Sequence, residues 1–413
     1  MRRVGIIGGG AAGMIAAASI VEQSGGPDTE VILFEKNKYL GAKVIISGGG
    51  RCNVTTGISD VRELIANYPR GGKDLMTAMY HFPPPSVMEW FENHGVPLKT
   101  EEDMRVFPKS DNGKDVVGAL EKVLRDGKVE ILLDTPITDV RKNGSGFVIC
   151  DKSGKELEVD VLILTTGGNA YNHTGSTGDG YTFAKNLGHT ITPLGPSLNS
   201  FVTSTKYNLA GLSFEKVAMV LTSADGKRRF ERTGPFVFTH HGVSGPAIFA
   251  LSSYAAFERI DKDHTLTLEI NLFPEKNHEA MRKSLDELIE KNSRKTVINF
   301  LDVLLPHSLC PVVVDMIKIQ ADTQTAQLNK SARESILHAL QHFTLAVVGR
   351  AAGDEFVTAG GVPLHEVDMT TMESKLCTNL YFAGEILDVD GFTGGFNLQA
   401  SWATGRLAGE NCS

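Results

Sequence analysis

Val4-Gly5-Ile6-Ile7-Gly8-Gly9-Gly10-Ala11-Ala12-Gly13 opens the chain with a short apolar run and a Gly-x-Gly-x-x-Gly turn. Val4–Ile7 is apolar on both faces and reads as a buried parallel strand. Ala11 to about Gln23 is rich in Ala and Ile, lacks Pro, and reads as the helix that follows. In such a unit Gly8 permits the tight turn, Gly10 lets the backbone approach a pyrophosphate, and Gly13 lets helix lie close on strand. The helix N-terminus adds free N–H groups and a partial positive charge. Glu35 lies 22 residues after Gly13, at the end of a second strand, Val31–Phe34, where a carboxylate accepts hydrogen bonds from a ribose diol. The stretch predicts dinucleotide binding on an α/β fold.

The turn alone does not choose between FAD and NAD. The choice comes from the far end of the chain, where Leu380-Tyr381-Phe382-Ala383-Gly384-Glu385 is an apolar strand ending in an acid and Gly394-Gly395-Phe396-Asn397 opens a helix. Glu385 is placed to hold the ribitol of FAD. The amides after Gly395 are placed to stabilise charge on the N1/C2-oxygen side of a reduced isoalloxazine. NAD has no ribitol and leaves these parts idle. The two ends of the chain are expected to hold opposite halves of one FAD.

Ser47-Gly48-Gly49-Gly50-Arg51-Cys52-Asn53 follows a short apolar run that reads as a strand, and suits a loop laid against pyrophosphate and flavin. Arg51 is a partner for a phosphate or a substrate carboxylate. Cys52 reads as a small buried hydrophobe in preference to a redox thiol. Thr165-Thr166-Gly167-Gly168-Asn169, followed by Gly175–Gly180, is a glycine-dense return to the cofactor, with Asp179 as N-cap of a helix over Tyr181–Asn186. Asp388 and Asp390 either line the flavin's edge or brace the turn before Gly391. His240 and His241 are the best-placed polar pair in the middle of the chain. Capping or core hydrogen bonding is favoured over proton transfer for both.

At 413 residues the chain can hold two or three domains. Its net charge of −8 and pI of about 5.9 argue against a nucleic-acid partner. No apolar stretch reaches the roughly 18–20 residues a membrane span needs. The N-terminus lacks a signal-peptide pattern, so a cytoplasmic location is expected. The five scattered cysteines include no Cys-x-x-Cys and no zinc spacing, which disfavours disulfide-reductase chemistry and a metal. A helix is expected over Asp115–Leu124 with Ser110-Asp111 as cap, then strands at Val129–Leu133, Gly146–Cys150 and Leu157–Leu164. From about Pro193 short β-rich runs take over, with a hairpin at Asp225-Gly226, followed by helices from Glu275 to Phe343. The middle is thus an insertion in a discontinuous first domain. No second strand–Gly-x-Gly-x-x-Gly–helix unit exists, so the reductant is either the substrate itself or NAD(P)H visiting the open flavin face.

Seven stretches together resemble a known family: Gly8–Gly13, Ile46–Thr55, Arg105–Pro108, Thr166–Tyr181, Phe238–Pro246, Val357–Gly361 and Tyr381–Gln399. They are similar to the BaiN-like, or YhiN-like, FAD-dependent flavoproteins, which include aminoacetone oxidase-like proteins and NAD(P)/FAD-dependent oxidoreductases. Thr177-Gly178-Asp179-Gly180 also resembles the wider fumarate-reductase-type flavin fold. The resemblance implies a Rossmann-like FAD-binding domain (glutathione-reductase/fumarate-reductase type) over 1–192 and 355–413, an inserted β-rich domain over 193–274 and 343–354, and a small helical domain over 275–342. It implies cofactor contacts at Gly8, Gly10, Ala12, Gly13, Glu35, Gly49, Arg51, Cys52, Asn53, Gly167, Gly384, Glu385, Gly395, Phe396 and Asn397. Ala11, Lys36, Lys43, Ser47, Gly50, Ile137, Thr166, Gly168, Asp390, Gly394 and Leu398 complete the candidate set. The sequence departs from the family where Asp103-Met104 stands in place of an expected glycine, where Thr56 replaces a usual Asn, and where Phe396 replaces a frequent Tyr. The expected activity is hydride transfer between flavin N5 and a small organic substrate docked between the flavin and the inserted domain. No catalytic acid or base is assigned. The rivals are an RNA-acting flavoprotein and a non-catalytic flavin-binding protein.

Overall fold

Strand Arg2–Ile7 is the middle one of the five parallel strands in a seven-stranded sheet of the computed structural model, which describes residues 2–23, 29–205, 207–351 and 356–412. Thr29–Phe34 and then Glu130–Leu132 lie on one side of it, and Val161–Leu164 and then Leu380–Phe382 on the other, all parallel. Two short antiparallel strands, Glu373–Ser374 and Val367–Asp368, finish that edge. The register sets Ile7 beside both Phe34 and Leu164, Leu164 beside Phe382, and Phe34 beside Leu132. The strands therefore end in one row, and the segments after them leave the sheet side by side. In open parallel sheets that carboxyl edge is where ligands bind.

The helix Ala11–Gln23 is apolar on nearly every side, and Ala11–Ile20 are buried. It needs a partner on its outer face, and the C-terminal helix Phe396–Asn411 supplies it. An added methyl at Gly405 would stand 2.5 Å from the Ala12 carbonyl oxygen, and one at Gly409 would stand 2.9 Å from Ser19 Cβ. Two glycines four residues apart thus let the two chain ends touch backbone to backbone.

Two compact units exist: Met1–Ser197 with Glu355–Ser413, and Leu198–Asp354. The expected junction at 354–355 falls outside the described residues. The strand Gly195–Ser197 pairs antiparallel with Val357–Ala359 inside the first unit. The second unit contains a closed barrel of six strands: Phe201–Thr203, Gly242–Ser244, Arg229–Phe238, Ser213–Thr222, Leu266–Asn271 and Phe343–Arg350. Helices His278–Lys291, Val297–Leu301, Cys310–Ile317 and Lys330–Gln341 share its apolar core, which includes Phe236, Leu268, Leu285, Phe300, Leu337 and Phe343.

Four local expectations are corrected. The run before the three glycines is a helix, Ala42–Ile46, entered from left-handed Gly41. Val44 is buried while Ile46 is 41% exposed, so the apolar run does not fill a sheet. The helix expected from Asp115 starts at Gly113 and is capped by the Asn112 side chain, which accepts from Lys114 N–H at 3.1 Å. Asp179 is the first residue of its helix, not the cap; left-handed Gly178 holds the cap position. His240 and His241 are both exposed, and the turn they sit on is held by Thr239, whose hydroxyl accepts from Gly242 N–H at 3.1 Å.

Candidate functional site

The first unit's carboxyl edge gathers most of the candidate residues. Gly8 leaves its strand at φ 114°, and a side chain there would strike the Thr165 carbonyl, 2.5 Å away. The Thr165 hydroxyl donates to the Ile7 and Gly8 carbonyls at 3.0 and 2.9 Å. A methyl on Gly13 would lie 2.7 Å from that hydroxyl and closer still to the Gly8 carbonyl, so helix and strand meet there without room for one more carbon. Gly10 differs, because a methyl added there would meet nothing within 4 Å. The amides of Ala11, Ala12 and Gly13 lie in the first turn, where an α-helix has no internal partner for its N–H groups.

Glu35 is buried just beyond the second strand. Its carboxylate accepts from Gly9 N–H and from the Asn37 backbone and side-chain amides, each at 2.8 Å. Thr135 N–H donates to the Glu35 carbonyl at 2.9 Å, which brings the half-buried Ile137 into the same neighbourhood. Lys36 reaches Asp179 at 2.6 Å, joining the adenosine-side candidates to the glycine-rich return.

A second cluster forms around Glu385. Lys43 contacts its carboxylate at 2.7 Å, and Thr358 N–H donates to the other oxygen at 2.9 Å. A methyl on Gly168 would lie 2.9 Å from Glu385 Oε1 and 2.5 Å from Thr358 Oγ1. Gly167 and Gly384 are both left-handed, and Gly384 N–H donates to Thr404 Oγ1 at 3.0 Å. Gly394 and Gly395 are left-handed as well, and Gly395 backs onto Thr55. The Phe396 carbonyl accepts from Tyr68 OH at 2.6 Å. The Asn397 side chain clasps Gly391 from both sides at 2.8 Å, and Leu398 is half-buried.

The loop Ser47–Asn53 is shaped by left-handed Gly48, Gly49 and Gly50. Methyls on Gly49 and Gly50 would touch nothing within 4 Å. Ser47 turns inward, its carbonyl accepting from Cys52 N–H at 2.9 Å, and Asn53 Oδ1 accepts from Val106 N–H at 3.2 Å. Arg51 pairs with Glu101 at 2.7 Å and Asp111 at 3.5 Å, and lies 3.7 Å over the Phe107 ring. Cys52 is fully buried at φ 61°, and burial pushes its thiol up to about 12. A thiol so shielded is not a nucleophile at neutral pH. None of the five cysteines is paired. Asp390 is fully buried, held by both prongs of Arg70 and by the Ser197 hydroxyl at 2.6 Å. Its carboxylate is committed to protein partners, the bracing alternative of the two weighed above.

Sequence reasoning assigned no role to Thr358, although the stretch holding it was singled out, nor to Arg70, which lies in no motif. Met104, where a glycine was expected, has φ 65° and is 42% exposed, so the backbone keeps a glycine's conformation under another side chain. Among the described residues no cluster of His, Cys, Asp or Glu is arranged to hold a metal, and no helix is long and apolar enough to cross a membrane.

The sequence profile of the HI0933-like protein Rossmann domain matches residues 2–411. The chain is 31% identical over 416 positions to the 3-dehydro-bile acid delta(4,6)-reductase of Clostridium scindens, covering 99% of this chain and 98% of that protein. It is 29% identical over 402 positions to the ribosomal RNA dihydrouridine synthase of Escherichia coli, covering 97% and 95%. Among solved structures, the open conformation of a flavocytochrome c3 fumarate reductase superposes with a TM-score of 0.51 at 17% identity, covering 100% of this chain and 78% of that one.

Proposed function

The chain belongs to the HI0933-like family of FAD-dependent oxidoreductases, and from that premise we propose that it reduces the carbon–carbon double bond of an α,β-unsaturated carbonyl compound. Its residues fit the cofactor. Backbone at Gly10, Gly49 and Gly50 stands open to a ligand, the buried Thr166 Oγ1 lacks a hydrogen-bond partner among the described residues, and two acceptor carboxylates, Glu35 and Glu385, serve separate sugar groups. The observation carrying this reading is the single row of strand ends, Ile7, Phe34, Leu164 and Phe382, from which the segments holding Gly10, Glu35, Thr166 and Glu385 leave.

In this reading the turn Gly8–Gly13 and the amides of Ala11 and Ala12 take the pyrophosphate. Glu35, with Lys36 and Ile137 beside it, takes the adenosine. Lys43, Thr166, Gly167, Gly168, Gly384 and Glu385 take the ribitol, and Glu385 exchanges part of its present pairing for hydroxyl donors. Ser47, Gly49, Gly50, Arg51, Cys52 and Asn53 line the ring by backbone, and Gly394, Gly395, Phe396, Asn397 and Leu398 present the helix amides. Asp390 acts by holding Arg70 and the turn in place. When bound, FAD supplies the hydride at N5. NAD(P)H reaching the flavin from solvent is the proposed reductant.

The substrate class follows from chemistry shared by the relatives. A 3-oxo-Δ4,6 bile acid and a uracil ring both carry a double bond conjugated to a carbonyl, which accepts hydride at the β-carbon and a proton at the α-carbon. The net charge of −8 favours a small enone over RNA for this chain. The test is anaerobic: reduce the bound flavin with NADPH or NADH, then add a steroid 4-en-3-one, a short enone, or a uridine-containing RNA. Reoxidation by the enones is expected. Reoxidation only by RNA would move the substrate to nucleic acid, and no reoxidation by any of these, followed by rapid reoxidation when air is admitted to a parallel sample, would make the protein an oxidase.

A further inference from the structure

Three side-chain oxygens of the first unit are buried with no hydrogen-bond partner among the described residues: Thr166 Oγ1, Tyr181 OH and Asp388 Oδ1. They belong to neighbouring segments. Thr166 Oγ1 and Ile386 flank the bare Cα of Gly180, the residue before Tyr181. The Tyr181 hydroxyl feels the charges of both Glu385 and Asp388. Leaving a buried polar group unsatisfied costs about 1–3 kcal/mol, so three together call for an occupant. A phenol donates and a carboxylate accepts, so a water reaching both would satisfy the Tyr181 hydroxyl and the Asp388 oxygen whose charge it feels.

The charges around Asp388 set it apart from its neighbours. Asp390 has taken the Arg70 guanidinium, and Glu385 has taken Lys43 at 2.7 Å. No cation among the described residues makes a salt bridge to Asp388. Its carboxylate faces the Thr192 hydroxyl and the Gly360 N–H, while Arg70 and Asp390 act on it through space with opposite sign. Burial pushes its carboxyl up from the usual range and outweighs Thr192 and Arg70.

We propose that Asp388, together with Tyr181 and one internal water, is a proton-holding site that takes up a proton when the adjacent flavin is reduced. The proposal rests on the FAD reading above, in which Glu385 and Gly395 meet the ribitol and the ring, and Asp388 lies on the segment joining them. Reduction brings two electrons from the reductant and one proton from solvent to the flavin, which leaves one added negative charge. A half-buried carboxylate without a cation then binds a second solvent proton, because like charges in a poorly solvated site disfavour one another. Tyr181 is not the acceptor. Its hydroxyl already carries its proton, and burial, then Glu385 and Asp388, hold it there. The proton so stored is the one that double-bond reduction needs beside the hydride.

The test is the flavin midpoint potential of the holoprotein as a function of pH, in wild type, Asp388→Asn and Tyr181→Phe. Two electrons with two protons give about 59 mV per pH unit, and with one proton about 30 mV. Wild type is expected to follow the steeper line over a window that Asp388→Asn lacks, with the absorption spectrum of the reduced flavin separating the ring's own protonation. Tyr181→Phe is expected to move that window to higher pH, since the carboxylate loses a donor acting through the water. An infrared carboxyl band that appears on reduction and vanishes in Asp388→Asn is the second readout. Equal slopes in wild type and Asp388→Asn at every pH, or no such band, overturn the proposal. A protein that retains no FAD overturns the cofactor reading and the proposal together.

Discussion

Gly10→Ala separates folding from cofactor binding, because the methyl it adds has open space in the protein alone. No heavy atom lies within 4 Å of that position, and Gly10 is not among the left-handed residues. Its effect on stability is expected to stay within about 0.5 kcal/mol, as for other substitutions that touch nothing. The bound state differs. A phosphate oxygen accepting from a turn amide sits about 2.9 Å from the nitrogen, whereas carbon and oxygen in van der Waals contact need about 3.5 Å. The methyl therefore displaces the pyrophosphate by a sizeable fraction of an ångström. Two charge-assisted hydrogen bonds weakened at about 1.5 kcal/mol each make about 3 kcal/mol, or more than 100-fold in FAD affinity. Gly13→Ala is the control with the opposite sign. Its methyl lies 2.7 Å from Thr165 Oγ1 and nearer the Gly8 carbonyl, so the helix must move and overpacking costs about 1–3 kcal/mol or more. Urea denaturation of both apoproteins, and calorimetric titration of each with FAD, measure the two effects separately. Wild-type FAD affinity in Gly10→Ala, or destabilisation equal to that of Gly13→Ala, would refute the reasoning.

Glu385→Gln, which keeps an acceptor for Thr358 N–H, is expected to weaken FAD retention while moving the urea midpoint little, since the Lys43 pair it gives up is partly exposed, 30% and 15%, and such a pair contributes about 1 kcal/mol or less. Unchanged affinity would contradict the ribitol assignment. His189, whose side chain is wholly buried, contacts Glu366 at Nδ1 and Ser374 at Nε2, each at 2.8 Å. Burial holds the imidazole below its ordinary pKa despite Glu366; burial also pushes Glu366 up, but Thr190 and His189 outweigh it and bring that carboxyl down. In both cases the unfolded chain binds more protons, so stability falls as pH drops from about 6.5 through about 4. His189→Gln should flatten that slope in urea titrations run across the range, and an unaltered slope would count against it. Met104→Gly should raise stability by roughly 1 kcal/mol by relieving a left-handed side-chain residue; a lower urea midpoint would show that the Met104 side chain does more than occupy the turn.

The parts legible in the sequence are those whose causes are local. The opening strand and turn declare themselves because the positive φ of Gly8 and the approach of Gly13 to the Gly8 carbonyl are local demands, and the closing strand because Leu380–Phe382 is apolar on both faces. Ala42–Ile46 misleads for the same local reason. Five apolar or long side chains with three β-branched residues suit a strand, and the left-handed Gly41 before them starts a helix instead. Asp179 carries the composition of a cap, yet Gly178 already holds that geometry and frees the carboxylate for Lys36. The pairs Lys43–Glu385 and Arg70–Asp390 join residues more than 300 positions apart. No periodicity or spacing announces such a partnership, because each is made by how distant segments fold together, Arg70 and Asp390 in an isolated antiparallel bridge. The buried chain Glu366–His189–Ser374 is silent for the same reason.

The embrace of the first helix by the last has a consequence for biosynthesis. Roughly 370 residues separate Gln23 from Phe396, and at about 5–20 residues per second a ribosome needs on the order of 20–70 s to make them. Throughout that interval the nascent chain carries an oily helix whose permanent cover has not been translated. A cofactor that needs both of these helices can be captured only once the later one has emerged, and a truncated product from a late stop codon would present that surface bare and become a client for chaperones or proteases.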